Sequence, residues 1–533
     1  MVTKKYFLIS LYFFALLTVG YLIFPDYGIS LDEDNTRISG FVSLKYIFEI
    51  LFPHLVNEID KFTNIPSMTE WNEQGIGVIF DLPAAFLELI FNINDTRQYY
   101  LLRHFLNYLI FFFSVYFFFL IIKKRYESNY MAFLGSFFLI LSPRIFADSF
   151  YNNKDLIFLS LFIISLYYAL KFLENANIKN TILFSLTSSL ATDIRILGII
   201  LPILIIFFYL IKNFKFKNNK IKVLNPILLL LVLTPFFITL FWPYLWNDPL
   251  NNFITIFKSL SHFDENIYNF YFGEYIDAKN IPWHYPIVWL GITTPLLYII
   301  LFIIGFVFTI KKIYKNLLKI EQNEYNNFWK NKKDMQDFVF FTIFLIPLVI
   351  VIYLNSTLYD GWRHLYFIYP IFLLISLLGL HIIRITFFRK KLNILLVLII
   401  CLLSPTFIWM IKNHPHQFIY FNLLAGKNFN DNFEMDYWGL SNAKALEYIA
   451  KNESGIVNVG SLGTTDLNLS KNFLLKKYRD KMIIASEISN SQYLINSYRD
   501  WHGKKISVPA NYEILYEIKI DEIPINTIYK KIK

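Results

Sequence analysis

A run of acidic residues directly follows the first apolar segment of the chain. Asp32, Glu33 and Asp34 are consecutive there, and Arg37 comes three residues later. A carboxylate at a membrane boundary can accept a proton from an incoming hydroxyl or amine, and partial loss of water raises its basicity. Asp32 and Glu33 are therefore candidate catalytic residues, with Arg37 beside them. The alternative is a solvated loop that stops the first helix from sliding into the membrane.

A second polar cluster, SPRIFADSFYNNKD at residues 142–155, joins two apolar segments. It carries the cations Arg144 and Lys154 and the acids Asp148 and Asp155, which is more than a short turn requires. Cations at a membrane surface can bind a phosphate group. We therefore consider Arg144, Lys154 and Asp155 candidate substrate-binding residues.

Two further arginines stand at the ends of apolar segments. Arg195 follows Asp193 between two such segments, and a charged pair at that depth is costly enough to suggest a function. The alternative is a structural ion pair between Asp193 and Arg195. Arg363 and His364 open a later segment in the string GWRH, where Arg363 is another candidate for binding phosphate and His364 lies next to it.

Motifs for other chemistries do not occur in the sequence. It has no Walker loop, dinucleotide fingerprint, HExxH or GxSxG, so energy from nucleotide hydrolysis is not indicated. Asp34, Asp148 or Asp155 could hold a divalent ion, and so could His414 and His416, but we predict no metal and no other cofactor. Aromatic residues crowd positions 242–246 and 282–286, which is typical of a membrane interface, although some rings could stack on a sugar.

The elements that carry these residues must lie in a membrane. Of the 533 residues, 56% are hydrophobic, whereas soluble domains are about 45–50% apolar. The net charge of +10 comes from lysines and arginines that sit mainly in short loops, so we predict no nucleic-acid partner. The only cysteine, Cys401, excludes an intrachain disulfide. A soluble enzyme is excluded.

The apolar runs predict an all-α polytopic protein with about eleven transmembrane helices. They cover residues 6–24, 99–122, 130–147, 156–173, 182–191, 197–211, 223–245, 286–310, 338–354, 365–383 and 392–411. The stretch 75–93 is interrupted by acids and a proline, and we predict a helix at the membrane interface there.

The basic loops predict the orientation of these helices. Residues 123–125, 212–222, 311–333 and 384–391 are rich in lysine and arginine and all fall on one side. That side is cytoplasmic by the positive-inside rule, which also places the N-terminus in the cytoplasm. The candidate site residues then lie outside. We predict a multi-pass protein of the inner (plasma) membrane.

The chain is predicted to have two domains. Residues 1–411 form the membrane domain, with a first external loop at 26–98 that carries interfacial helices. Residues 412–533 have no long apolar run and are predicted to fold as a small external α/β domain, with strands at 456–459, 482–485 and 512–520 and an N-capped helix at 441–452.

This arrangement resembles the GT-C glycosyltransferases, and most of all the branch of the protein O-mannosyltransferases and the lipid A aminoarabinose transferase. Asp32 and Glu33 fall where that branch carries its Asp-Glu pair after the first helix, with Arg37 a few residues on. The strings SPRIFADSFYNNKD, RILG, WPYLW, PWHYP, GWRHLYFIYP and HPHQFIYFNLLAG are similar to those of bacterial members. The resemblance extends from residue 1 to about residue 439.

The resemblance implies an inverting transferase that takes a sugar from a polyprenyl-phosphate donor outside the cytoplasm. Asp32 would match the base that activates the acceptor, and Glu33 would support it or bind the acceptor. The acceptor would be a lipid, a glycan or a protein, and membrane lipids would surround the helices. By charge and side, we expect Lys154, Arg195 and Arg363 to contact the lipid phosphate.

Two other functions stay open at this point. A transporter or flippase of lipid-linked glycans would favour charges deep within helices and helices broken near the membrane centre. A polymerase or ligase of such glycans would place its arginines in a late loop and would lack the acids after the first helix. The charges here cluster at external helix ends, which favours the transferase.

Overall fold

The computed structural model describes residues 2–73, 75–215, 220–261, 266–318, 328–500, 502–503 and 507–532. Helices dominate its first half, and most of them are long and apolar. In chain order they are α1 (Val2–Ile23), α2 (Glu33–Leu51), α3 (Asp81–Ile90), α4 (Thr96–Tyr126), α5 (Asn129–Ile140), α6 (Pro143–Tyr151), α7 (Asp155–Glu174), α8 (Ile178–Ile194), α9 (Ile200–Lys215), α10 (Lys220–Phe241) and α11 (Pro249–Ser261).

The second half contains the remaining helices and all the strands of the described residues. They are β1 (Tyr268–Tyr271), β2 (Glu274–Asp277), α12 (Tyr285–Thr293), α13 (Leu296–Leu318), α14 (Lys332–Tyr353), α15 (Tyr369–Phe387), α16 (Leu392–Lys412), α17 (Ser441–Asn452), β3 (Val457–Ser461), α18 (Leu467–Asn472), α19 (Lys476–Arg479), β4 (Met482–Ile484), β5 (Tyr493–Asn496), β6 (Tyr512–Ile520) and β7 (Ile523–Lys531). A 3-10 turn at Arg363–Ile368 leads into α15.

Within the described residues, nine helices are long and apolar enough to cross a membrane. They correspond to α1, α4, α7, α9, α10, α13, α14, α15 and α16, two of them extended by a preceding short turn. The pair α5 and α6 makes a tenth crossing if it counts as one bent span. The eleventh predicted span corresponds to α8, which has 17 residues and many serines and threonines. The predicted class, a polytopic helical membrane protein with a small C-terminal sheet domain, is confirmed.

Two helices form the centre of the bundle. The buried share of the most apolar 18-residue stretch is 83% in the span that contains α15 and 72% in α7, compared with 17% in α1. Glycines allow α15 to approach α13 closely: a Cβ added at Gly379 would lie 2.0 Å from the carbonyl oxygen of Leu301. Small residues at helix contacts are the usual means of close packing in membranes. The rigid centre thus carries the ends of α7 and α15, where several candidate residues lie.

The predicted span at 130–147 is wrong in detail, because the helix breaks before its end. The axis turns by 68° between α5 and α6. Pro143 causes the break, since it cannot donate to the preceding turn and disfavours helical geometry at Ser142. The polar cluster that follows is a buried helix, α6, and not an exposed loop. This turn brings Lys154 and Asp155 to the start of α7.

The segment between α1 and α4, predicted to be an external loop, folds around two short helices. In α3, at the predicted interfacial stretch, Asp81 and Glu88 are buried against neighbouring cations. Pro83 lies in the first turn of α3, where its missing N–H costs nothing. Parts of two basic segments used to predict orientation, residues 216–219 and 319–327, lie outside the described residues.

The C-terminal region contains a five-stranded sheet in the order β4-β3-β5-β7-β6. β3 is parallel to β4 and β5, whereas β7 is antiparallel to β5 and β6. The predicted strands correspond to β3, β4 and β6, and the predicted helix is α17; β5 and β7 were missed. Asp436, and not a residue at the helix start, caps α17 by accepting the N–H groups of Leu440 and Ser441 at 3.0 and 2.9 Å.

This region packs on the ends of the membrane helices that lie near Asp32. Arg97, in the first turn of α4, donates to the carbonyl oxygen of Phe473 at 2.8 Å, and Arg479 binds Asp95 at 2.7 Å. Gly28 has no room for a side chain, because a Cβ there would lie 2.2 Å from the carbonyl oxygen of Leu440. The sheet region is therefore fixed next to the segment that leads into Asp32.

Candidate active site

Asp32 is the residue that precedes α2, and its side chain is 30% exposed. Its Oδ2 accepts a hydrogen bond from Nη1 of Arg363 at 3.1 Å. The contact joins two parts of the chain that are 331 positions apart. Asp32 is thus held at an end of the helical bundle, and part of its side chain stays open to solvent.

Arg363 binds three carboxylates at once and is almost fully buried, with 3% of its side chain exposed. Besides Asp32, it lies 3.3 Å from Oδ2 of Asp155 and 3.2 Å from Oδ2 of Asp360. Its guanidinium also packs on the rings of Trp438 and Tyr359, at 4.7 and 4.8 Å from their centroids. The turn that delivers it is left-handed at Asp360 and Gly361, with φ of +58° and +71°.

The surroundings of Asp32 keep it ionised. Burial raises the pKa of its carboxyl, but the charges of Lys154 and Arg363 outweigh burial, so the pKa lies below its ordinary value. Partial loss of water does raise the pKa of Asp32, as the sequence predicted, but the two neighbouring cations reverse the net shift, which the sequence did not predict.

Two candidate cations near Asp32 retain contact with solvent. Arg195 binds Oδ1 of Asp155 through Nη2, and 23% of its side chain is exposed. Lys154 is 16% exposed, and its ammonium lies 3.9 Å from Glu73. Asp193 and Arg195 do not form the alternative ion pair. Arg195 binds Asp155 instead, and Oδ1 of Asp193 accepts the N–H of Ile79 at 3.0 Å.

The loop between α6 and α7 is fixed by its asparagines. The side chain of Asn152 accepts the N–H of Asp155 at 2.8 Å and donates to Asp148 at 3.1 Å. Asn153 donates to Thr36 on α2 at 2.6 Å and to Asp81 on α3 at 3.1 Å. These bonds attach the start of α7 to the helix that begins just after Asp32.

Glu33 points away from its neighbour Asp32. Its carboxylate is buried, lies 3.0 Å from Nε2 of His104 on α4, and accepts the N–H of Ser30 at 2.8 Å. Glu33 therefore attaches the start of α2 to α4. Adjacent acids in the sequence occupy different environments, since consecutive side chains at a helix start point in different directions.

Two other candidates lie apart from this group. Arg37 binds Glu88, with Nη2 at 2.6 Å from Oε1, and packs 3.8 Å from the centroid of the Tyr99 ring. Arg144 packs between the rings of Phe421 and Trp289, at 4.9 and 5.3 Å. Arg144 is buried, and its Nε lies 3.4 Å from the carbonyl oxygen of Tyr420.

His364 lies beside the group without bonding to Asp32. Its ring packs edge-on against Tyr359 at 4.7 Å, and its Nδ1 has no hydrogen-bond partner among the described residues. Its role as a substrate-binding residue stays a prediction.

Sequence reasoning missed Asp360, Trp438, Arg499 and Glu434. Arg499, on the sheet side, lies 2.5 Å from Oδ1 of Asp360 and also binds Glu434. Asp360 could have been found from its position three residues before Arg363. Arg499 follows a buried strand in a region where no motif marks it, so the sequence held no signal for it.

Metal ligands are not grouped in the part of the chain that the structure describes: no set of three or more histidine, cysteine, aspartate or glutamate side chains could hold an ion there. The acids around Asp32 are each bound to an arginine or lysine. The site is a set of paired charges in which the carboxylates and cations balance.

Residues 82–242 match the model of the family described as dolichyl-phosphate-mannose-protein mannosyltransferase. The predicted resemblance to this branch is confirmed. The matched segment contains α3 to α10 and includes Lys154, Asp155 and Arg195. Over these residues the chain is similar to membrane glycosyltransferases of this family. A search of the curated proteins finds no match to the chain.

Several solved structures are similar to this chain at low identity. ArnT from Cupriavidus metallidurans in the apo state has 9% identity and a TM-score of 0.47, with 99% of this chain and 98% of that chain covered. The same protein bound to undecaprenyl phosphate has 10% identity, a TM-score of 0.46 and 97% of each chain covered. A third structure is the archaeal oligosaccharyltransferase AglB from Archaeoglobus fulgidus in complex with an inhibitory peptide and a dolichol-phosphate. It has 12% identity and a TM-score of 0.47, with 93% of this chain and 70% of that chain covered. Because these scores lie below 0.5, no site residue is transferred from them.

Proposed function

We propose that this protein is a glycosyltransferase that moves a sugar from a polyprenyl-phosphate-linked donor to an acceptor on the external face of the membrane, with Asp32 as the base. The observation that carries the proposal is a partly exposed, ionised carboxylate next to two cations that retain solvent contact. The matched family acts, by its description, with dolichyl-phosphate-mannose, which supports a lipid-phosphate donor.

The reaction needs two groups on opposite sides of the sugar. The acceptor oxygen attacks the anomeric carbon, and its proton passes to Asp32. The bond from the anomeric carbon to the phosphate oxygen breaks, and the phosphate leaves with the electron pair. A direct displacement of this kind inverts the configuration. Because the leaving phosphate is anionic, it needs cations and not a general acid.

Lys154 and Arg195 are the cations that we assign to the phosphate. Arg363 is the weaker candidate for that role, because it already binds three carboxylates and is buried. We assign to it the task of holding Asp32. Arg37 and Arg144 are occupied elsewhere, by Glu88 and by aromatic rings.

This assignment also explains how a carboxylate with a lowered pKa can act as a base. Lys154 contributes to keeping the pKa of Asp32 low. The negative charge of a phosphate bound to Lys154 would offset the charge of the ammonium, and this raises the pKa of Asp32. Asp32 would therefore become more basic when the donor is in place.

The remaining parts of the proposal concern placement. Residues 1–411 would form the membrane domain and residues 412–533 the external domain, with the N-terminus in the cytoplasm of a plasma membrane protein. Glu33 would act by fixing the start of α2 through His104 and not by touching the substrate.

The test is sugar transfer by Asp32→Asn in the full chain reconstituted in lipid. We expect transfer to fall by about 10²–10⁴-fold, the usual contribution of a general base, while donor binding persists. Asp26→Asn is the matched control, since Asp26 is an exposed acid six positions earlier whose partner is His414. Full activity in Asp32→Asn, or an equal loss in the control, would refute the proposal.

A further inference from the structure

A cavity of about 310 Å³ lies on the sheet side of the molecule, away from Asp32. It opens between the β1–β2 hairpin, the segment at residues 430–437 and the end of β5. Its volume is at the lower end of the range of about 300–1,000 Å³ found for small-molecule sites. None of the candidate residues from the sequence lines it.

The mouth of the cavity carries aromatic rings. Phe270 and Tyr275, from opposite strands of the hairpin, lie 5.1 Å apart and are both half-buried. Tyr498 adds a third ring, 38% exposed to solvent. Apolar rings with one open face offer a flat surface to a ligand.

The backbone of Tyr498 is strained. Its φ is +59°, in the left-handed region that bulky residues avoid. Two hydrogen bonds maintain it: Oδ1 of Asn496 accepts its N–H at 2.8 Å, and its hydroxyl lies 2.6 Å from Oγ1 of Thr527. Strained residues persist where the surrounding structure forces them, and they cluster at binding sites.

Polar side chains also line the cavity, among its apolar residues. Asn430, Asn496 and Asp500 supply amide and carboxylate groups, and Glu434 and Arg499 form a buried ion pair in its lining. A ligand that suits this cavity has one apolar face for the rings and several hydroxyl groups for the amides and carboxylates. A pyranose ring has both. A free phosphate does not fit as well, because acids outnumber the one arginine among the charged lining residues.

A short series of ion pairs connects the cavity with Asp32. Arg499 in the cavity wall binds Asp360, Asp360 binds Arg363, and Arg363 binds Asp32. All the side chains between the two ends are at least 95% buried. A ligand that contacts Arg499 would therefore act on the group that holds the base.

We propose that this cavity binds a sugar ring of the acceptor, so that the acceptor carries carbohydrate; this rests on the proposed function, in which Asp32 deprotonates that acceptor. The sugar ring stacks on the aromatic mouth, and its hydroxyl groups bond to Asn430, Asn496 and Asp500. The acceptor hydroxyl that reacts belongs to another part of the same molecule, near Asp32.

The experiment measures binding directly, with no turnover. The full chain in detergent is mixed with a pool of methyl glycosides of glucose, mannose, galactose and N-acetylglucosamine, and saturation-transfer NMR detects bound ring protons. We expect clear transfer to at least one glycoside in the wild-type protein and in Asp32→Asn. Tyr275→Ala and Asn430→Ala should reduce the signal at least fivefold.

Tyr516→Ala is the matched control, because Tyr516 is an exposed tyrosine on β6 of the same sheet, outside the cavity. It should bind the glycosides as the wild type does. Thermal unfolding of each variant checks the fold, and Asn430→Ala changes only a half-buried side chain.

Three results would overturn the proposal: no transfer to any glycoside in the wild type, equal transfer in the cavity variants and the wild type, or transfer to a pool of short peptides but to no glycoside. Failure of the proposed function looks different, because Asp32→Asn would then retain sugar transfer while glycoside binding was unchanged.

Discussion

Asp32 and Glu434 lie at the two ends of one series of ion pairs, and their pKa values are shifted in opposite directions. Each binds an arginine, Arg363 for Asp32 and Arg499 for Glu434, and Asp360 binds both arginines. The Asp32 side chain is 30% exposed, whereas that of Glu434 is 4% exposed. Pairing with an arginine therefore does not by itself mark a carboxylate as catalytic. The carboxylate must also be accessible to solvent, so that a substrate can reach it.

The pKa values follow this difference. Burial raises the pKa of Glu434 above its ordinary value, and the neighbouring Arg499 offsets this only in part. At Asp32 the charges of Lys154 and Arg363 outweigh burial and lower the pKa. An open, ionised carboxylate can meet a substrate, whereas a buried one that takes up a proton readily serves the structure.

The largest effect should come from Arg363→Ala. The change leaves three carboxylates without their shared partner, and breaking a buried pair of this kind costs about 3–5 kcal/mol. We expect a clearly lower unfolding temperature and loss of sugar transfer, measured on the purified full chain. The exposed Arg389→Ala serves as control. An unfolding temperature equal to that of the wild type would show that the three pairs contribute nothing.

A smaller loss is expected from Arg499→Met. It removes one partner from Asp360 and one from Glu434, but Glu434 can take up a proton, so we expect a cost of about 2 kcal/mol. Adding Glu434→Gln should restore part of the stability, because the carboxylate that lost its partner is then gone. If the double variant were less stable than Arg499→Met, the pairing of these two residues would not be the cause.

The two carboxylates should also differ in their pH dependence. A carboxyl with a raised pKa contributes stability at low pH that is lost as the pH rises through its folded-state pKa. Glu434→Gln should therefore gain stability relative to the wild type between pH 5 and pH 8, by about 1 kcal/mol or more. The pKa of Asp32 lies below the ordinary 3.8, so its contribution is complete above pH 5.

Asp32→Asn should accordingly differ from the wild type by the same amount at both pH values. Unfolding temperatures of the two variants and the wild type at pH 5 and pH 8 test the contrast. A difference for Asp32→Asn that changes with pH over this range would contradict the account of its charge.

The smallest effect should come from Arg37→Ala. Arg37 is adjacent to the acids in the sequence but binds Glu88 and the Tyr99 ring, so we expect sugar transfer to change by about twofold or less. The stability cost should stay at about 1 kcal/mol, because the buried Glu88 keeps Lys61 as a second cation at 3.3 Å. A large fall in donor binding, measured in the same assay, would place Arg37 back in the site.

The sequence predicted the helical bundle well, because long apolar segments and basic loops are local signals. It also singled out Asp32, Lys154, Asp155, Arg195 and Arg363, since charges at the ends of apolar segments are conspicuous, and their roles stay predictions. It could not tell that Glu33 would turn towards His104, because that depends on how α2 packs against α4. The sequence contains Pro143, but it did not predict that the helix axis turns by 68° there.

Contacts between distant parts of the chain could not be predicted from the sequence. Arg363 meets Asp32 across 331 positions, and Arg499 meets Asp360 across 139. No periodicity or spacing encodes such pairs. The strands β5 and β7 were missed for a related reason, since their apolar stretches are short and gain their stability from neighbouring strands.

The most direct test of the account is a structure of the full chain with a polyprenyl phosphate bound. We predict that the phosphate lies within hydrogen-bond distance of Lys154 or Arg195, with Asp32 facing the space where the sugar would stand and Arg363 still bound to Asp32. A phosphate bound at Arg37 or Arg144, away from Asp32, would contradict the proposed site.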